Sequence, residues 1–372
     1  MIEPRRPTPQ RGRVRSARLT DLSAVGELSR LAHAVDGGSG ETGAVANNGT
    51  HGGMRTLGLP LGTGPISAFS LFRMPLGAFL PSDLIYVYEE RGAVVGLARV
   101  EHESMRDEWT IVELVALDNG TAGDIRFRLV QHLLRDASKR GGLRFHVACA
   151  DAGGNVELFM QAGFARYGEE RILYRSPDQS FPEQMTQANA QSRGIRTAVS
   201  LDANELDRLY RAATPAPVVR LEDYRLPDWE RQGNHWRVPR SALTPLLRFA
   251  DVEAFVQQSP QGEALLAFCQ IGVAKEEHPD YLRVISRPDH DASELISFSL
   301  AQINEQVGRH RLDWARLHRS DRGVVSAVRT YEAPLDRRLE DCGFGSVAVV
   351  SLLMKEVAER VREPALVPVA SR

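Results

Sequence analysis

The sequence predicts a mixed α/β fold built twice in tandem, each half a twisted mixed sheet flanked by helices. Three observations lead there. Arg15-Ser16-Ala17 near the start is echoed by Arg196-Thr197-Ala198, and Gly163-Phe164 is echoed by Gly343-Phe344, at offsets of 181 and 180 residues. A repeat of that length is a duplicated domain and not a solenoid unit. At 372 residues the chain also exceeds one ordinary core and suits two. Finally, strand and helix signals run in the same order in both halves.

The elements justify this in order. Residues 1–12 are rich in Pro and Arg and read as a disordered start. A short strand near Val14 leads to a helix carrying Leu22, Val25, Leu28 and Leu31 at helical spacing. Residues 36–64, crowded with Gly, Asn and Thr, read as a long loop with no phosphate-binding P-loop motif. A hairpin follows over 83–100, turning at Arg91-Gly92, and a third strand over 109–117. The helix at 121–140 buries an i+4 stripe of Ile125, Leu129, Leu133 and Ala137, and Gly141-Gly142 stops it. A strand at 143–148, a helix at 155–161 and a strand at 170–174 close the first half, 13–176. Residues 177–192 are polar and read as a linker. The second half, 193–360, repeats the order: strand 194–199, helix 202–213, strands 251–257, 263–273 and 280–286, helix 292–307, then strands 311–318 and 346–354. Residues 361–372 read as a tail.

Composition narrows the function. An apolar content of 42%, a charged content of 25% and a net charge of −2 describe a soluble globular protein and argue against a dedicated nucleic-acid binder. Three well-separated cysteines, Cys149, Cys269 and Cys342, fit a reducing cytoplasmic compartment. The N-terminus lacks the apolar stretch of a signal peptide, and no run approaches the roughly 18 apolar residues of a membrane span. Glu101-His102-Glu103 has no second ligand set at metal-like spacing, so no metal is expected.

The "R-x-A" opening, the hairpin, the strand–turn–helix over 109–140 and the closing Gly-Phe together resemble the Gcn5-related N-acetyltransferases (GNAT), as two tandem and degenerate copies. The resemblance implies acyl-coenzyme A N-acyltransferase-like domains. Acetyl-coenzyme A would be co-substrate and a small-molecule or peptide amine the acceptor. It implies that the fourth strand splays from the fifth, that the coenzyme enters the gap, and that its pyrophosphate rests on the amides opening the next helix. Carried onto this chain, the coenzyme site would comprise Val115, Leu117, Thr121, Ala122, Gly123, Asp124, Ile125 and Arg126. Asp124 and Arg126 depart from the small residues usual there, and Thr121-x-x-Asp124 reads equally as a helix capping box.

The resemblance places the general base at Glu113 on the fourth strand. A carboxylate inside an apolar strand needs a function, a partner or solvent, so a structural ion pair stands beside the catalytic reading. The family's usual acid, a Tyr five residues before the Phe of Gly-Phe, is replaced by Phe159 and Leu339, with Tyr167 and Tyr174 nearby. His146 on the fifth strand and His318 in the second half read as ordinary histidines or cleft residues. The cluster of Trp229, Arg231, Asn234, His235 and Trp236 reads as packing or as a pocket wall. The second half lacks loop glycines at 287–293 and has Val284 opposite Glu113, so any active site belongs to the first. The competing reading is a catalytically inactive tandem GNAT-like binding or scaffold protein. A homodimer is compatible with either.

Overall fold

The structure is a computed structural model and describes residues 12–37, 50–51, 54–59, 83–103, 108–117, 121–183, 185–230, 239–244, 247, 249–274, 279–309 and 323–357. The first half runs β1 (Arg13–Ser16), α1 (Leu22–Gly37), β2 (Thr50–His51), β3 (Met54–Arg55), β4 (Asp83–Glu90), β5 (Ala93–Glu103), β6 (Glu108–Leu117), α2 (Ala122–Lys139), β7 (Arg144–Ala150), α3 (Asn155–Gln161) and β8 (Ala165–Arg175). After α4 (Gln187–Ser192) come β9 (Ile195–Thr197), α5 (Ala203–Ala213), α6 (Ala216–Glu222), β10 (Phe249–Gln258), β11 (Leu265–Ala274), β12 (Asp280–Ser286), α7 (Ser293–Arg309), β13 (Val324–Arg329), α8 (Ala333–Asp341) and β14 (Phe344–Glu356).

The mixed α/β architecture is as expected, but the two halves share one sheet. Its order is β1-β4-β5-β6-β7-β14-β8-β13-β12-β11-β10-β9, with β3 attached to β6 and β2 to β3. Counterpart strands stand at mirrored places, and the last strand of each half lies in the other. β14 is antiparallel to β7, and β8 is antiparallel to β13. β6–β7 and β12–β13 are the parallel pairs.

Strand alternation sends side chains to two helical layers. Ile85 and Val87 join Val25, Leu28 and Ala32 of α1, whereas Tyr86 and Ala98 join Ile125, Leu129, Leu133 and Ala137 of α2, the expected stripe. In the second half, α7 buries Leu295, Leu300 and Ile303 against Cys269, Ile271 and Val284. α5 covers the opposite face with Leu206, Leu209 and Tyr210, where Trp229 packs fully buried. The packing reading of Trp229 therefore holds, while its companions at 231–238 lie outside the described residues.

The sequence echoes have structural causes. Arg15 forks onto Asp21 at 2.6 and 2.9 Å, and Arg196 onto Asp202 at 2.8 and 2.6 Å. Each Asp also accepts a backbone N–H three residues earlier, from Arg18 and Val199, bracing the strand-to-helix turn. Gly163 and Gly343 adopt φ values of +87° and +88° where α3 and α8 end, a left-handed cap that disfavours any side chain.

The 177–192 segment is docked and ends in α4: Phe181 and Met185 pack on the second core, and Arg175 binds the carbonyls of Gln179 and Ser180. Among the described residues the next strand after α7 is Val324–Arg329, and the strand expected at 311–318, with His318, lies outside the described residues. So do residues 1–11 and the tail.

Candidate active site

β6 and β7 pair in parallel for four rungs, Glu108 with Arg144 to Ile111 with Val147, and then diverge. A bulge on β6 accompanies the divergence, because Arg99 of β5 faces Glu113 while Val100 faces Ile111, leaving Val112 out of register. From Glu113 onward the residues alternate regularly. Glu113 is buried and its Oε2 lies 3.4 Å from Nε of Arg99, directly across the strand pair. Val115 is buried beneath α1, and Leu117 is partly buried in the same cluster.

The helix expected to cradle phosphates begins at Ala122, and Thr121 makes no side-chain capping bond, so the capping-box reading fails. Asp124 turns outward and pairs with Arg128 at 2.8 Å. Ile125 packs into the core, and Gly123 is exposed with open space around its Cα. Arg126 is buried and donates to Oδ1 of Asn155, so its guanidinium serves the interior and not a surface anion.

The wedge between β6 and β7 holds the chain's own residues 54–59. Met54 pairs with Leu117 and Arg55 with Ala116 along β6, on the edge away from β5. On the other wall, the carbonyl of Leu57 accepts the amide of Ala150 at 2.9 Å and Nδ2 of Asn155 at 3.2 Å. Gly58 follows at φ +68°, where a Cβ would stand 2.8 Å from that of Ala150. Leu57 and Leu59 are buried in the main core. Residues 54–59 thus take up strand-edge groups on both walls of the gap that the resemblance assigns to acetyl-coenzyme A, and in this conformation they stand in its way.

At the apex of the wedge lies a cavity of about 30 Å³, room for one or two waters. Thr110, Ile111 and Val112 of β6 and His146, Val147 and Ala148 of β7 form its floor. Leu59, Tyr167, Arg240, Ser241 and Arg329 also line it, so the second half contributes to the chamber. His146 is buried; its Nε2 is 3.5 Å from Glu108, and its Nδ1 has no hydrogen bond among the described residues. Burial, reinforced by the positive charge of Arg240, holds its pKa below the ordinary 6.5. Glu108 is gripped by Arg240 at 2.8 Å and lies 3.7 Å from Arg144. Tyr167 is intermediate in exposure, and desolvation holds its phenol well above the ordinary range, hence protonated. The Arg329 guanidinium lies 5.8 Å from its ring centre and is itself buried between Glu170 at 2.7 Å and Glu222 at 2.8 Å. Tyr210 donates to Glu222, and Glu170 accepts the amide of Ala242 at 2.6 Å.

The second wedge is closed differently. β12 and β13 pair over three rungs, after which the Arg283 guanidinium spans the gap. It donates to the carbonyls of Val284 at 2.7 Å and Ala327 at 3.2 Å and forks onto Glu332 at 2.8 and 2.9 Å. Outside it lies a groove of about 190 Å³ lined by Arg287, His290, Tyr331 and Arg338 among others. Asp291 accepts the Ser293 amide at 3.0 Å, giving the acidic loop a capping role at α7.

The sequence marks His146 and Tyr167 without bringing them together, and it gives no sign of Arg240 and Arg329. Nothing in their spacing signals a shared cavity, because the exchange of β8 and β14 creates it. His102 stacks on Trp109 at 4.5 Å, and no metal-binding group is found among the described residues. Cys149 is buried, which pushes its thiol up to about 12 and removes it as a nucleophile. No helix among the described residues is long and apolar enough to cross a membrane.

No family model and no curated protein matches this sequence. Solved structures do. A GCN5-related N-acetyltransferase from Sphaerobacter thermophilus superposes over 94% of this chain and 96% of its own, with a TM-score of 0.52 at 13% identity. The chain has the GNAT fold. It carries that fold in two tandem copies, as the mirrored strand order requires. Also matched are a tandem GNAT protein from the clavulanic acid biosynthesis pathway, at 13% identity over 93% of this chain and 98% of that one with a TM-score of 0.49, and a putative acetyltransferase from Pyrococcus horikoshii, at 9% identity over 96% and 93% with a TM-score of 0.45. At 13% identity the likeness to the Sphaerobacter thermophilus structure speaks for the fold and not for a substrate.

Proposed function

We propose that this tandem GNAT protein, with copies at 13–176 and 193–360, is an acyltransferase whose reaction centre is the cavity at the apex of the first wedge. The acyl donor is an acyl-coenzyme A and the acceptor a small-molecule or peptide amine. The single observation that carries the reading is the placement of a neutral imidazole and a protonated phenol, His146 and Tyr167, on one small cavity at the foot of diverging parallel strands.

His146 is the base: uncharged near pH 7 and with neither ring nitrogen hydrogen-bonded among the described residues, it can accept a proton from an acceptor ammonium. Glu108 and Arg240 fix its surroundings from the far side. Tyr167 holds a proton that it can deliver into the cavity, where Arg329 and Arg240 also stand in the wall, each already paired with buried carboxylates. This assignment takes the base role from Glu113, whose ion pair with Arg99 already accounts for its burial. It keeps the centre in the first copy, with the second supplying a wall. Following acetyl transfer from labelled acetyl-coenzyme A into a panel of amines tests it. H146Q should lower turnover about 10²–10⁴-fold; turnover undiminished in H146Q would refute the assignment.

A second reading is favoured by a specific observation. Both wedges are filled, one by residues 54–59 and one by the Arg283–Glu332 pair, as expected of a catalytically silent scaffold. No acetyl transfer to any amine, with residues 54–59 in place or displaced, would select it.

A further inference from the structure

We propose that residues 54–59 form an intrasteric strap: they occupy the donor wedge as an extended-chain ligand, and coenzyme A binds only when they leave. The inference builds on the acyltransferase reading, since it assigns that wedge to the donor.

The strap is bonded on both walls through main-chain groups. Met54 and Arg55 add a short antiparallel strand to β6, and the Leu57 carbonyl receives the Ala150 amide from β7. A pantetheine arm, an extended chain with two amides, would compete for those same strand edges. The grip is specific. Asn155 donates Nδ2–H to the Leu57 carbonyl and to that of Ala150, both at 3.2 Å, while its Oδ1 accepts from buried Arg126. Arg126, a position that the family resemblance assigns to phosphate, thus helps to hold the strap. Leu59 at the far end lines the reaction cavity, so the strap also restricts that chamber.

Gly58 makes the strap separable from the rest of the fold. With φ at +68° and a would-be Cβ 2.8 Å from that of Ala150, it tolerates no β-branched side chain while docked, yet an undocked strap accepts one freely. Docking therefore lowers apparent affinity by the fraction of molecules with the wedge open.

The test is isothermal titration of the full chain with coenzyme A, comparing wild type with G58V and N155D. The Asp in N155D still accepts from Arg126 but repels the Leu57 carbonyl. Expected are one site per chain and binding at least tenfold tighter in both variants than in wild type. Variants that melt cooperatively but bind no tighter than wild type, or a wild type that binds equally well, overturn the strap. Should the variants fail to fold, hydrogen exchange on wild type decides. Coenzyme A at millimolar concentration should deprotect the amides of residues 54–59, and unchanged protection there rejects the proposal. Variants that bind the coenzyme yet acetylate no amine would leave the strap standing and remove the acyltransferase reading.

Discussion

Glu170 and Val350 face each other across the β8–β14 pair, and they are also each other's counterparts in the repeat, 180 residues apart. They therefore sit on the pseudo-twofold axis of the molecule, where an identical pair would place two carboxylates side by side in a buried sheet. One copy keeps an acid, the other a hydrocarbon. Replacing Glu170 by its counterpart, E170V, leaves Arg329 with one fewer buried carboxylate and should cost about 3–5 kcal/mol, measured by denaturant unfolding.

Glu113 and His146 separate by mutation. E113Q weakens the pair with Arg99 and should destabilise the fold by about 1–3 kcal/mol while leaving turnover within a few-fold of wild type. H146Q should show the reverse, with near-native melting and lost turnover. A large loss of turnover in E113Q would return the base role to the carboxylate.

Stability should depend on pH through His146. Its native pKa is held below 6.5, so the unfolded chain takes up the proton more readily. The stabilisation is complete above the unfolded value and is lost as pH falls below it and through the depressed native value. His132 and His290 are shifted the same way. The difference in denaturation midpoint between wild type and H146Q, compared at pH 7.5 and pH 5.5, isolates the contribution of His146, and the wild type should lose more on acidification.

Arg283 and Glu332 should behave as a coupled unit. R283M strands a buried carboxylate and should cost about 3–5 kcal/mol. Adding E332Q removes that charge, so the double variant should cost less than the sum of the singles by at least about 1 kcal/mol. Additive losses would show that the guanidinium acts through its carbonyl contacts alone.

Thiol labelling of the folded protein should modify one cysteine readily. Cys149 and Cys269 are buried with thiols pushed up to about 12, whereas Cys342, its thiol also raised by burial, keeps partial exposure beside Gly343. Mass spectrometry after brief treatment with a thiol reagent checks this, and rapid modification of Cys149 would place it nearer the surface than its burial allows.

Much of the fold was legible because it rests on local signals. The stripe of α2, the hairpin of β4 and β5 and the glycine caps are all written within a few residues. The duplication was legible from Arg15 and Arg196, whose shared bond to an aspartate six residues on gives the echo a physical cause. The site was not. His146, Tyr167 and Arg329 belong to three strands brought together by β8 crossing into the second half, a long-range event with no periodic trace. Glu113 looked reactive because its partner, Arg99, lies on another strand. The strap was hidden in a glycine-rich stretch whose composition signals a loop and whose hydrogen bonds reach Ala116 and Ala150.

The exchange of final strands also sets a schedule for synthesis. β7 receives its neighbour on one side from β14, with Ala150 meeting Val350 and Arg144 meeting Glu356. A nascent chain that has finished its first copy therefore emerges with one edge of β7 and both edges of β8 lacking their native partners, open to pairing with other nascent chains. The first copy closes last, when the final strand clears the ribosome. A truncation that removes β14 reaches back two hundred residues to unmake the sheet beside the cavity.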